Sequence, residues 1–269
     1  MKRETVKPRQ EKILDLLNSE GEVFVRDLSE RFEVTEMTIR RDLEVLEQRN
    51  ALMRTHGGAI FSGRSVAEFA FLERSRAHLE EKQAIAREAA TLVEPGMTVV
   101  LDTGTTTLEV SRAIQGVSGI KVLTSSLAIA SVLHAQKNID LVLLGGNVRI
   151  NSPDLSGPLT EDNLRQFRVN LAILGADAAD RRGAYASDLS VSRVSKAMIE
   201  CADRTALIID SRKFSRGAFA KFASWDRFRH VVTDTGISRA DRQWLKKAVG
   251  DVRLVKAVHD GAAGRSAAS

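Results

Sequence analysis

Seven short aliphatic runs spread over residues 98–255 constrain this chain more than any other feature. They fall at 98–101, 121–123, 141–144, 171–174, 206–209, 230–233 and 252–255. A run that is apolar at consecutive positions, rather than alternating, reads as a strand buried on both faces. Helical patterns over 106–115, 127–137, 160–167, 190–202 and 238–248 separate most of the runs. Strands alternating with helices predict a mostly parallel α/β sheet with helices on both sides.

That sheet accounts for only part of the 269 residues, and the length leaves room for a second domain. With 43% hydrophobic and 28% charged residues, the composition is that of an ordinary globular protein. No apolar run approaches the ~20 residues of a membrane span. Met1-Lys2-Arg3-Glu4-Thr5 leads into charges rather than an apolar signal core, so no export signal is expected. The single cysteine, Cys201, fits a reducing cytoplasm and sits in an apolar helical pattern as a packed thiol. The five histidines lack metal-ligand spacing, and there is no GxGxxG fingerprint. Neither a metal nor another cofactor is expected.

The first 60 residues read as a helix-turn-helix with a wing. Ile13, Leu14 and Leu17 give one buried face to a helix over 8–19, which Gly21 ends. Val25, Leu28 and Phe32 mark a second, short helix, and Glu33-Val34 a tight turn. In the next helix Ile39, Leu43 and Leu46 share a face, and Thr35 stands at its N-cap position. Met37, Thr38, Arg40 and Arg41 then lie on the outer side. Arginine can pair bidentately with guanine or clamp phosphate, and threonine can reach phosphate or a thymine methyl. Asn50 is a candidate left-handed cap for that helix. Residues 52–55 read as a strand, and His56-Gly57-Gly58-Ala59 as a turn and return. Arg54 and His56 would stand near the tip of this wing. Gly57 and Gly58 would allow positive φ and a close phosphate approach. The net charge of +5 suits a polyanionic partner, yet residues 1–60 hold 11 Lys and Arg against 12 Asp and Glu. Positive charge must therefore be gathered on one face.

Residues 61–80 read as a loosely packed linker, because Ser62-Gly63-Arg64-Ser65 breaks the periodicity. A helix opening at Glu81 carries Ile85, Ala86, Ala89, Leu92 and Val93 and stops at Pro95-Gly96. The sheet domain spans 81–258, and 259–269 reads as a disordered tail.

In an open α/β sheet, ligands sit beyond the carboxyl ends of the strands. Here those ends carry Asp102-Thr103-Gly104-Thr105-Thr106-Thr107, Thr124-Ser125-Ser126, Gly145-Gly146-Asn147, Gly175-Ala176-Asp177 and Asp210-Ser211 followed by Lys213. Glycines and hydroxyls entering helix N-termini suit a phosphate. Asp102, Asp177 and Asp210 could accept sugar hydroxyls, or serve as turn-formers and caps. Five such loops point to a small, polyhydroxylated, anionic ligand.

Two sets of motifs resemble a known family. The first is Arg9-x3-Ile13, Val25-x2-Leu28, Phe32-x-Val34-Thr35-x2-Thr38-Ile39-Arg40-Arg41-Asp42-Leu43-x2-Leu46 and Arg54-Thr55-His56-Gly57-Gly58-Ala59. The second is Asp102-x-Gly104-Thr105-Thr106, Thr124-x-Ser126, Gly145-Gly146, Gly175-Ala176-Asp177 and Asp210-Ser211-x-Lys213-Phe214. Together they resemble the DeoR family of bacterial transcription regulators, whose effector domain resembles ribose-5-phosphate isomerase. The resemblance implies a repressor of carbohydrate metabolism that binds double-stranded operator DNA as a homodimer or homotetramer, with a phosphorylated sugar as effector. Two positions depart from the pattern. Ala178 stands where glycine is usual, and 188–196 lacks the usual acidic residues. The usual lysine falls at Ser195, leaving Lys196 one place along as the candidate ligand residue. One residue is ~100° around a helix.

The alternative is an isomerase with an accessory DNA-binding head. It needs a base and an electrophile to stabilise an enediolate, for which Asp102, Asp177 and Lys213 are the candidates. The lack of spare carboxylates in 188–196, and a full reading head, count against it.

Overall fold

The computed structural model describes residues 8–49, 51–60, 66–149 and 152–257. Asn50 and the predicted tail 259–269 lie outside the described residues. Contacts divide the chain into two compact units, one ending at Arg76 and the other beginning at Ala77.

The first unit runs α1 (Pro8–Glu20), β1 (Glu22–Phe24), α2 (Val25–Arg31), α3 (Glu36–Gln48), β2 (Met53–Arg54), β3 (Gly58–Ile60) and α4 (Val66–Arg76). Its core holds Ile13, Leu17, Val25, Leu28, Ile39, Leu43 and Leu46, the apolar positions that the helical spacing selects. Glu33, in the turn between α2 and α3, has φ +52°, where glycine would carry no Cβ penalty. The wing strands β2 and β3 are antiparallel, and β1, which the sequence did not reveal, pairs on the other side of β3.

Two expectations need correction here. Neither Gly57 nor Gly58 takes a positive φ among the described residues. Gly58 is required for space instead, since a Cβ there would enter the Val23 carbonyl. The predicted linker 61–80 contains α4 and the start of the next helix. α4 belongs to the first unit: Leu72 packs on Phe24 and Ile60, and Phe71 is buried. Arg76 pairs with Asp27 at 3.3 Å and Glu22 at 3.6 Å, and its guanidinium lies 4.1 Å from the Phe24 ring centroid. Apolar surface left open by β1 and β3 gives this helix something to pack on.

The second unit runs α5 (Leu79–Ala90), β4 (Thr98–Leu101), α6 (Thr105–Ala113), β5 (Ile120–Thr124), α7 (Leu127–Leu133), β6 (Ile139–Leu143), β7 (Asn147–Val148), β8 (Leu155–Ser156) and α8 (Pro158–Arg165). It continues with β9 (Val169–Leu174), β10 (Ala178–Asp180), β11 (Gly183–Ala186), α9 (Leu189–Glu200), β12 (Ala202–Ile208), β13 (Ala220–Ala223), β14 (His230–Asp234), α10 (Arg239–Ala248) and β15 (Asp251–Val255). Seven strands form one sheet in the order β15-β14-β12-β9-β4-β5-β6, and every neighbouring pair is parallel. These are the seven aliphatic runs, with ends shifted by a few residues. Consecutive strand residues point to opposite faces, and Val99, Val100 and Leu101 are all fully buried, so both faces are covered. α7 stops at Leu133, short of the predicted 137. Two small antiparallel additions, β7–β8 and β10–β11–β13, were not legible in the sequence.

The chain builds outward from β4 to β5 and β6, then returns to β9 on the other side of β4 and continues to β12, β14 and β15. The strand order therefore reverses between β4 and β9. In open parallel sheets such a switch point opens a crevice at the carboxyl edge.

Candidate DNA-reading face and effector site

On α3 the Thr35 hydroxyl caps the helix, accepting from the Thr38 N–H at 3.3 Å, and lies 3.0 Å from the Thr38 hydroxyl. Met37, Arg40 and Arg41 are exposed, Met37 by 73%. Arg40 donates to the His56 carbonyl at 3.3 Å and to Glu36 at 3.2 Å, which ties the reading helix to the wing. Glu47 accepts from the Arg54 backbone N–H at 2.9 Å and from its guanidinium at 2.7 Å. These bonds, the backbone one first, hold the Glu47 carboxyl below the usual carboxylate range. An open groove of about 930 Å³ is lined by Arg9, Thr38, Arg40, Arg41, Arg49 and Arg54 among others. Five of the eleven cations of residues 1–60 thus line one groove, against the two acids Asp42 and Glu44.

The wing tip differs from expectation. His56 is exposed, but the space beside Gly57 is taken by the Glu73 carboxylate. An anion there opposes a close phosphate approach. The sequence also gave no sign that Asp42, on α3 itself, is buried. It accepts from Arg9 at 2.6 Å and Gln10 at 3.0 Å, fixing α3 to α1.

In the second unit the predicted loops gather at the carboxyl edge. Asp102 follows β4 and is buried. Its Oδ2 accepts from the Gly175 N–H at 3.0 Å, across the switch point. Burial lifts the Asp102 carboxyl to about 6, aided by the nearby charges of Asp154 and Asp177 and opposed by the N–H groups of Thr103 and Gly175. α6 begins at Thr105 with Gly104 as its N-cap. Thr106 and Thr107 are buried, and the Thr107 hydroxyl donates to the Gly104 carbonyl.

The three hydroxyls after β5 divide their tasks. Thr124 donates to the Leu101 carbonyl at 2.9 Å and accepts from the Ser126 N–H, while Ser126 caps α7. Ser125 is fully buried and its hydroxyl has no partner among the described residues. After β6, Gly145 receives the Thr160 hydroxyl at 2.6 Å on its carbonyl. Gly146 has φ +148°, and a Cβ there would collide with Thr160.

Asp177, exposed, accepts from the Ser187 N–H at 2.7 Å. Asp210 is buried, and that burial raises its carboxyl, against the charge of Lys213 3.9 Å away. Lys213 donates to the Ala176 carbonyl at 2.7 Å, joining the loops after β9 and β12. Lys196 is not drawn in. It is exposed on α9 beside buried Ser195, as a one-residue shift around a helix requires.

Sequence reasoning missed the β7–β8 hairpin, which brings Arg149 and Asp154 to this edge. Arg149 pairs with Asp154 at 3.1 Å and reaches Asp188 at 3.8 Å, and Asp154 is close enough to raise Asp102. The glycines before the hairpin were the only signal. Hydrogen-bond donors, the carboxylates of Asp102, Asp154, Asp177 and Asp210, and the cations Arg149 and Lys213 at one sheet edge can hold a small polyhydroxylated anion.

A DeoR-like helix-turn-helix domain matches residues 9–64, and the DeoR C terminal sensor domain matches residues 77–235. The chain belongs to the DeoR family. It is a DNA-binding transcription regulator and not an enzyme, so the isomerase alternative falls away. DeoR-family relatives include a helix-turn-helix transcriptional regulator of Bacillus subtilis, 36% identical over 90% of this chain and 93% of its own length. The glycerol-3-phosphate regulon repressor of Escherichia coli is 33% identical over 84% of this chain and 90% of its own. The lactose phosphotransferase system repressor of Lactococcus lactis is 32% identical over 86% and 92%. Among solved structures, a D-ribose-5-phosphate isomerase in complex with phospho-erythronic acid is similar at TM-score 0.38 and 19% identity, over 49% of this chain and 52% of that one. The strand order of this DeoR-family chain, rather than that partial likeness, sets its fold class.

Proposed function

We propose that this regulator represses a carbohydrate-utilisation operon and leaves its operator when a phosphorylated sugar, or a metabolite derived from one, binds the carboxyl edge of the sheet. The observation that carries the reading is the convergence of the β4, β5, β6, β9 and β12 loops on the switch point, with Asp102 at its centre. Thr105–Thr107, Thr124–Ser126, Gly145, Gly146, Asp177, Asp210 and Lys213 line the proposed site, and Arg149 and Asp154 join them. The names of two relatives, a glycerol-3-phosphate regulon repressor and a lactose phosphotransferase system repressor, support a sugar-linked role.

In this reading α3 enters the major groove with Arg40 and Arg41 toward the bases, and Arg54 and His56 stand near the backbone. Two chains pair their heads on symmetric half-sites. The effector shifts the balance between DNA-competent and incompetent arrangements only by its difference in affinity for the two. The setting is the cytoplasm, in keeping with the free Cys201; no described helix is long and apolar enough to cross a membrane.

The test is fluorescence anisotropy with labelled DNA from upstream of the protein's own gene, titrated at several salt concentrations and then challenged with a panel of sugar phosphates. Tight, salt-dependent binding released by one of them is expected. Binding that no sugar phosphate alters would remove the effector assignment, and no selected site anywhere in the genome would remove the operator.

A further inference from the structure

The amino ends of the strands, opposite the proposed effector edge, hold a second pocket of about 470 Å³. It is lined by the start of β12, by residues 225–229 before β14, and by Ala248 and Gly250 before β15. Arg204, Arg227 and Arg229 all line it. Among the described residues none of the three makes an ion pair, and none of their guanidinium groups donates to a carbonyl. Arg204 reaches only the Met97 sulfur, at 3.9 Å. Of the two carboxylates in the lining, Asp203 is already held by Arg168 at 2.8 Å, which leaves Asp226 against three arginines.

The arrangement is built rather than incidental. The Thr205 hydroxyl donates to the Arg227 carbonyl, and the Arg229 N–H donates to the Thr205 carbonyl at 3.0 Å. One residue of β12 thus clamps both flanks of Phe228. Phe228 is extended, with φ −104° and ψ 120°, and its ring is buried. Arg227 closes a short 3-10 turn over Trp225–Arg227 and Arg229 leads into β14, so the two flank the buried ring, and both are exposed.

Three guanidinium groups gathered on one pocket repel one another until an anion joins them. Each presents a planar fork that matches phosphoryl oxygens. We propose that this pocket binds a small polyanion bearing two or more linked phosphoryl groups, at a site separate from the effector edge. Trp225 and Phe228 are both buried, so no ring is offered for a nucleobase to stack on. The phosphate chain itself is what the pocket recognises.

The experiment is titration calorimetry of the full chain with inorganic tripolyphosphate at physiological salt, repeated with ATP. The double variant Arg227→Gln/Arg229→Gln is compared with a charge-matched control, Lys137→Gln/Arg242→Gln, at exposed positions outside the pocket. The expected result is saturable binding to the native chain, weakened at least tenfold in the pocket variant and unchanged in the control, with ATP no tighter than tripolyphosphate. Equal loss in both variants would reduce the binding to net charge and overturn the proposal. No saturable heat, or ATP binding with tripolyphosphate silent, would also overturn it. So would a pocket variant that binds normally but changes oligomeric state, since the arginines would then face another protomer. Circular dichroism confirms that each variant is folded.

Discussion

Asp102 and Gly175 end adjacent parallel strands on either side of the point where the strand order reverses, and the Asp102 carboxylate accepts the Gly175 N–H at 3.0 Å. That bond closes the floor of the crevice with a buried acid. Its carboxyl stands at about 6 instead of 3.8 because burial disfavours the charge. A folded-state value above the unfolded one means that the native state holds the proton more tightly. The resulting stability is complete below about pH 4 and is lost as the pH rises through about 6. Over that window the loss is about 3 kcal/mol. Asp102→Asn removes the titration, so urea unfolding of the variant is expected to vary less between pH 4 and pH 7 than that of the native chain. Parallel pH profiles would show that Asp102 does not titrate there.

Arg40 and Arg41 are expected to contribute differently to DNA binding. Arg41→Ala removes an exposed cation that has no ion pair among the described residues, and a loss of about 1–3 kcal/mol in operator affinity follows. Arg40→Ala adds a second effect, because Arg40 also holds the His56 carbonyl of the wing. Anisotropy at fixed salt checks both, and unchanged affinity in both would sink the assignment of α3 to the groove.

Lys213→Ala is expected to leave operator affinity intact and to blunt release by the effector. Its amine joins the β9 and β12 loops through the Ala176 carbonyl and faces Asp210. The dose–response of DNA release measures this. An unaltered curve would take Lys213 out of the site.

Asp42→Ala leaves Arg9 and the buried Gln10 amide without the carboxylate that holds them. Losing a buried hydrogen bond to a charged group costs about 1.5–3 kcal/mol. A lower melting temperature for the first unit, with the sheet unit unaffected, is expected in calorimetry. A single unchanged transition would show that α1 and α3 do not need this link.

The seven parallel strands were legible because burial on both faces leaves runs such as 98–101 and 171–174 with no polar position to confuse them. The five short antiparallel strands of the second unit were not, since two to four residues such as Asn147–Val148 or Ala178–Asp180 show no period. Helix α4 was hidden for a related reason. Its partners Phe24 and Ile60 are supplied by tertiary contact rather than by its own pattern. At the crevice, glycines and hydroxyls after each strand were readable, because strand ends dictate where they stand. Arg149 and Asp154 were not, because a hairpin brings them there. Gly57 shows the opposite error, a motif glycine whose open side is occupied by Glu73, sixteen residues further along.

The order of the strands also sets a timetable for synthesis. The core of the helix-turn-helix is drawn from residues up to Ala59 and can form as soon as they are made. β4, by contrast, stands between β5 and β9, and β9 ends at Leu174. At roughly 5–20 residues per second, the reading head precedes the completed crevice on the ribosome by several seconds or more. A nascent chain therefore carries its address before it carries its ear.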